Sequence, residues 1–248
     1  MTSFRVGLSL VALALSSACT VAGVGCSLPS APPEGEAAAD AVPAEGGGAP
    51  VSTTGVVGIA FLGDSLTAGF GLLSEQAYPA LVERLFHDEG YDEVTAINAG
   101  VSGDTTAGGL RRIDDLLEPQ VRIVVVALGG NDALRGLTTL QTRENLAAII
   151  DRALDSGREV LVAGMLAPTN LGPDYQASFR DIFQRLAVAY GDRIEVVPFL
   201  LEGVAGNPAL NQGDGIHPTA EGSRVIAELL YPRLRVLVDL VSSGGGGE

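Results

Sequence analysis

At 248 residues the chain has room for one domain of about 200 residues or two small ones, and its 46% hydrophobic content leaves ample material for a core. Thirty acidic residues stand against fifteen basic ones, all of them arginine, for a net charge of −15. That balance argues against nucleic acid and anionic lipid as partners, because both are held by basic patches.

Residues 1–18 read as an export signal: Arg5 gives a thin positive start, Val6 to Leu15 an apolar core, and Ser16-Ser17-Ala18 small residues for cleavage. The protein is therefore expected to be exported, periplasmic or extracellular. Cys19, directly after Ala18, is a candidate for acylation as in a bacterial lipoprotein. Ser16 departs from the usual pattern, which has Leu, Val or Ile three residues before that cysteine. Cys26, preceded by Gly23-Val24-Gly25, departs in the same way. Residues 19–54 are expected to be a disordered spacer, since from residue 27 on they are rich in Pro, Ala, Gly and Glu and cannot bury enough surface to offset ordering. Both cysteines fall outside any core, so no disulfide framework or thiolate metal site can be built from them. The folded domain is expected over 55–241, with 242–248 a disordered tail.

From about residue 55, short apolar runs alternate with helical periodicity. Val56–Leu62, Val94–Ile97, Ile123–Leu128, Val160–Met165 and Ile194–Val197 are the expected strands. Amphipathic stripes follow them: Tyr78, Leu81, Val82, Leu85; then Leu110, Ile113, Leu117; then Leu146, Ile149, Ile150, Ala153, Leu154. Two more stripes, Phe179 to Tyr190 and Val225 to Leu230, complete the set. Five strands alternating with helices imply a single three-layer α/β/α domain with a five-stranded parallel sheet.

Ligands bind at the carboxyl ends of such strands, and four unusual segments fall there. Gly63-Asp64-Ser65 follows the first strand, Asn98 to Asp104 the second, Gly129-Gly130-Asn131-Asp132 the third, and Asp214 to His217 the fifth. Ser65 reads either as a nucleophile or as a helix N-cap. His217, with Asp214 three residues ahead, can deprotonate a serine while the carboxylate orients its ring; alone, each is an ordinary turn residue. The other histidine, His87, reads as a surface residue on a polar helix face. Gly103 offers an unobstructed N–H and Asn131 a side-chain amide, both suited to an oxyanion. Asp64, Asp104 and Asp132 lack metal-ligand spacing and read as loop braces, so no metal is expected. Gly69-Phe70-Gly71 lacks the third glycine of a dinucleotide fingerprint, Ser74 standing in its place, and no cofactor is expected. Thr67 stands where an α/β-hydrolase elbow needs glycine.

Gly-Asp-Ser-Leu, Asn-Ala-Gly-Val-Ser-Gly-Asp-Thr-Thr, Leu-Gly-Gly-Asn-Asp-Ala-Leu-Arg-Gly and Asp-Gly-Ile-His-Pro-Thr, in this order, resemble the SGNH (GDSL-type) hydrolase superfamily. The longer matches are similar to the branch of bacterial thioesterase I/protease I/lysophospholipase L1 and arylesterases. The resemblance covers about residues 56–238. It implies a flavodoxin-like sheet, Ser65 as nucleophile, His217 as base and Asp214 as its partner. It also implies an oxyanion hole from the Ser65 and Gly103 N–H groups and the Asn131 side chain. The implied substrate is a small acyl ester, thioester or lysophospholipid. Leu66, Leu134 and Leu171 are expected to line the acyl site, and the 167–175 loop to cover it. A monomer is favoured, with a membrane tether only if Cys19 or Cys26 is lipidated. The competing readings are a non-catalytic exported binding domain and a flavin- or nucleotide-binding protein of the same fold.

Overall fold

Val121–Ala127 (β3) is buried almost throughout, and its run of Ile123 to Ala127 shows no exposed residue on either face. A strand covered on both sides has no reason to alternate polar and apolar residues, and this one does not. In this computed structural model, which describes residues 55–243, β3 is the centre of a five-stranded parallel sheet ordered β2-β1-β3-β4-β5. Its partners are β1 (Val57–Gly63), β2 (Val94–Gly100), β4 (Glu159–Ala163) and β5 (Glu195–Val197). The expected strands are all present with ends shifted by up to three residues.

The helices are α1 (Ser65–Ala68), α2 (Tyr78–Asp88), α3 (Thr106–Arg112), α4 (Gly130–Leu134), α5 (Thr139–Asp155), α6 (Pro173–Tyr190) and α7 (Ala220–Ser243). α2 packs on α7, while α5 packs on both α3 and α6, which gives the layers over the sheet. The α5 stripe buries Leu146, Ile149, Ile150 and Ala153; α6 buries Phe179, Ile182, Phe183 and Leu186. The α/β class, five parallel strands and flanking helices agree with the sequence expectation.

Three local differences have physical causes. The helix expected through Leu117 stops at Arg112, and a 3₁₀ turn follows at Asp114–Leu116. Gly108 and Gly109 make α3 a poor helix to extend, and Ile113 is fully buried at its end. Gly130–Leu134, read as loop, is a short helix, too short to show a 3.6-residue period. α7 continues through Pro232 to Ser243, past the expected boundary at 241, with Val241 buried against the core. The expected signal, the spacer to residue 54, Cys19, Cys26 and the last five residues lie outside the described residues. His87 is exposed, as expected, and its Nε2 lies 2.9 Å from the Val94 carbonyl oxygen.

Successive strands leave β1 in opposite directions: β2 lies on one side of it and β3 on the other. The carboxyl ends of β1 and β3 therefore flank a topological switch point, where a crevice opens.

Candidate active site

β1 ends at Gly63, where a Cβ would run into the Thr67 side chain and approach the Ala127 carbonyl oxygen at 3.1 Å. The next residue, Asp64, is the N-cap of α1, its Oδ1 accepting from the Leu66 N–H at 3.0 Å. Capping is thus done by Asp64, and the N-cap reading of Ser65 is overturned: Ser65 is the first helical residue. Its hydroxyl lies 2.9 Å from His217 Nε2. Gly69, at φ +73°, ends the helix after one turn.

His217 is fixed by its own loop. Asp214 Oδ1 accepts from the Ile216 and His217 N–H groups at 2.9 and 3.0 Å, and Oδ2 lies 2.6 Å from His217 Nδ1. A carboxylate only accepts, so Nδ1 carries the proton and Nε2 is left to accept the Ser65 hydroxyl. The His217 side chain, followed by the two backbone N–H groups, holds the Asp214 carboxyl well below the usual carboxylate range. Gln212 fastens the loop: its N–H donates to the His217 carbonyl at 2.7 Å, and its Nε2 to the Phe70 and Pro218 carbonyls at 2.7 and 2.9 Å. Phe70 packs its ring on the imidazole, centroids 4.6 Å apart.

Asn131 lies in the first turn of α4, not in an Asx turn. Its Nδ2 donates to Asp64 Oδ2 at 3.1 Å, which fixes the amide plane and leaves a second hydrogen. Asp64 is 2% exposed, and burial raises its pKa to about 6 against the pull of Leu66 and Asn131. Gly103 has φ +80°, and its carbonyl accepts from Arg135 Nη2 at 2.7 Å, which ties the β2–α3 loop to the end of α4. Asp132 accepts from the Thr106 N–H at 2.9 Å and Asp104 from Arg112 Nε at 2.8 Å, so both brace loops.

Ser65, Asn131 and His217 line one cleft of about 370 Å³. Leu66 and Leu134 line it as expected; Leu171, in a 3₁₀ turn at Thr169–Leu171, does not. Met165 to Pro168, after β4, line it instead, together with Phe199, Leu201, Ala205 and Asn211, after β5. Gly103 is not among the lining residues. A larger hollow of about 550 Å³ between α5 and α6 shares no residue with this group.

The GDSL-like lipase/acylhydrolase family model matches residues 61–225, well over half of the chain. This protein belongs to that family. It is 42% identical over 178 residues to the esterase TesA of Pseudomonas aeruginosa, covering 71% of this chain and 87% of that one. It is 36% identical over 179 residues to the thioesterase 1/protease 1/lysophospholipase L1 of Escherichia coli, covering 72% and 83%. A crystal structure of TesA superposes with a TM-score of 0.68 at 40% identity, over 73% of this chain and 99% of that one. The fold is accordingly that of the SGNH hydrolases, and the chain is a hydrolase of this family.

Sequence reasoning missed some supports of this SGNH hydrolase site. Arg112 donates to the Ala99 and Gly63 carbonyls at 2.7 and 2.9 Å as well as to Asp104, fastening the ends of β1 and β2 and the following loop. Nothing in the spacing marks it, because two of its three partners are backbone carbonyls, one of them on β1 far away along the chain. Gln212 carried no signal of its own: its ties appear only in the fold, where a side chain at Gly71, φ +77°, would meet its Oε1.

Proposed function

We propose that the protein is a serine esterase that hydrolyses carboxylic ester or thioester bonds of small acyl esters or lysophospholipids. Ser65, His217 and Asp214 form the triad. The observation that carries this is the unbroken path from the Ser65 hydroxyl through His217 to Asp214, 2.9 and 2.6 Å, at a largely apolar cleft. The names of its relatives, esterase, arylesterase and thioesterase, support the same reading.

His217 Nε2 takes the Ser65 proton as Oγ attacks the carbonyl carbon, and the electron pair of the C=O bond moves onto its oxygen. The Ser65 N–H and the free Asn131 amide hydrogen receive that oxyanion, joined by the Gly103 N–H on the family resemblance, since Gly103 itself does not line the cleft. The tetrahedral intermediate collapses as His217 returns its proton to the leaving alkoxide or thiolate, leaving the acyl group on Ser65. Water, deprotonated by His217, then repeats the attack and releases the acid. No step draws on a metal or an organic cofactor. Export rests on residues 1–18, and a membrane tether on acylation of Cys19 or Cys26. A monomer suffices for the chemistry.

The test is fluorophosphonate labelling followed by peptide mapping. An adduct on Ser65 that disappears in His217→Ala is the expected result; a folded protein that takes no label belongs to the binding-module reading instead.

A further inference from the structure

Phe70 is 52% exposed and stands outside the hydrophobic core. Its backbone is tied at both ends: the N–H donates to the Ser65 carbonyl at 3.0 Å, and the carbonyl accepts from Gln212 Nε2 at 2.7 Å. Almost any residue could make those two bonds, so they place the segment without accounting for the phenyl ring. Among the described residues the aromatic partner of that ring is the His217 imidazole, with centroids 4.6 Å apart and planes inclined by 39°. The ring is not among the groups lining the cleft, so its contact is with the base rather than with a bound ester. His217 has use for such a contact. Its own side chain is 17% exposed, but that of Asp214 is 40% exposed. Solvent screens a pair so open, and the carboxylate attracts an imidazolium less than a buried one would. An aromatic face within about 6 Å attracts a cation through its quadrupole, and the Phe70 ring lies inside that range.

We propose that Phe70 is a positioning residue whose ring holds the His217 imidazole toward Ser65 and favours the imidazolium formed when Nε2 takes the Ser65 proton. This rests on the esterase reading above. The charged groups that face the imidazole are Asp214, from its own loop, and Asp64, at the head of α1. A change at Phe70 removes neither, and Ser65, on the Nε2 side, is neutral. The contact acts twice in a turnover, because His217 is protonated in acylation and again when it activates water. A cation–π contact at an exposed site corresponds to about two- to fivefold in rate. In Phe70→Leu, which keeps apolar bulk without a π face, kcat at pH 8 falls by that factor while KM stays as it was. The acid limb of the kcat profile moves down by about half a pH unit. Native and variant rates therefore converge at low pH, where His217 is already protonated before attack and the ring favours both states alike.

The experiment measures kcat and KM for a p-nitrophenyl ester across pH in the full-length protein and in Phe70→Leu and Phe70→Tyr, with Phe70→Met in place of Phe70→Leu should that variant not fold. His217 is titrated by NMR in the same proteins, a readout that needs no ester turnover, with His87 as an internal reference. The expected result is a pH-dependent loss in Phe70→Leu, a His217 titration about half a pH unit lower, an unmoved His87, and a native profile restored by Phe70→Tyr. Equal kcat and equal His217 titration in Phe70→Leu and the native protein would overturn the proposal and leave the esterase reading intact. So would a loss of the same size at every pH with the His217 titration unmoved, which is the mark of packing alone. A rise in KM without a fall in kcat would make Phe70 a substrate contact and overturn the proposal too. A native protein that turns over no ester and takes no fluorophosphonate on Ser65 would sink the esterase reading, and the role of Phe70 in it, even if the titration moves.

Discussion

Replacing Asn131 by alanine separates two jobs that the structure gives to one amide. One Nδ2 hydrogen is spent on Asp64 Oδ2 at 3.1 Å; the other is free for the oxyanion. Loss of a single oxyanion donor costs about 2.7–4 kcal/mol, so kcat should fall by about 10²- to 10³-fold. KM should change little, because the hydrogen bond is made to the transition state rather than the ground state. The second job appears in stability. Asp64 is raised from 3.8 to about 6, mainly by burial, so ionising it in the folded protein costs about 3 kcal/mol at pH 8. A folded pKa above the unfolded one means that this cost is fully present above pH 6 and vanishes as the pH falls below 3.8. Removing Asn131 takes away one of the two donors that hold the charge, a loss of about 1.5–3 kcal/mol that exists only while Asp64 is ionised.

Thermal melts of Asn131→Ala should therefore show a deficit of about 3–12 °C at pH 8, using about 2–4 °C per kcal/mol for a domain of this size. The deficit should shrink as the pH falls from about 8 to 6 and be absent well below 6, where Asp64 is protonated in both folded proteins. Ester hydrolysis at pH 8 measures the first effect and circular dichroism melts across pH 4–8 the second. A folded variant that keeps kcat within about tenfold of the native value would refute the oxyanion role. A melting deficit that does not depend on pH would refute the coupling to Asp64.

Ser65→Ala should melt like the native protein and cleave no ester, and activity of the native protein should survive a chelator; residual ester turnover near the native rate in the variant would remove Ser65 from its role. Asp214→Asn keeps an oxygen for the Ile216 and His217 N–H groups but can present an N–H to His217 Nδ1, favouring the tautomer that cannot accept from Ser65. It should lower kcat by about 10²- to 10⁴-fold with little change in melting temperature, the full value being known where the aspartate is buried. Gly71→Ala forces a side chain into the Gln212 amide at φ +77°, at about 1–3 kcal/mol of strain. A lower melting temperature and a lower kcat together are expected, and a variant with both unchanged would show that the Gln212 tie does not position His217.

Much of the frame was legible because its signals are local. A strand buried on both faces must be apolar throughout, and Ile123 to Ala127 announce themselves that way. Asp214 and His217 were legible for the same reason: the carboxylate reaches the ring and two backbone N–H groups within three residues, so the spacing alone describes the contact. Ser65 was placed correctly on the turn after β1 but left with two readings, because whether a serine caps a helix depends on whether its neighbour Asp64 does so first. The cleft walls were not legible. Leu171 is an apolar residue in the expected loop, yet it lies in a 3₁₀ turn outside the lining, while Met165 to Pro168 are part of it. Neither segment has a period that tells an inward loop residue from an outward one.

Asn211 shows the limit most sharply. In the sequence it is one more asparagine before a glycine-rich turn, and an Asx-type local bond would be its ordinary fate. In the fold its amide nitrogen satisfies two carbonyls of the segment before it, and among the described residues no donor reaches its buried oxygen. Residue type and spacing can describe a group that reacts, since nucleophile, base and carboxylate are defined by their chemistry. A residue that builds a wall is defined by the neighbours the fold brings to it. Here Val204 and Asn207 have first to be placed beside the Asn211 amide, so the reaction class could be read from four short motifs and the make-up of the cleft wall only from the fold.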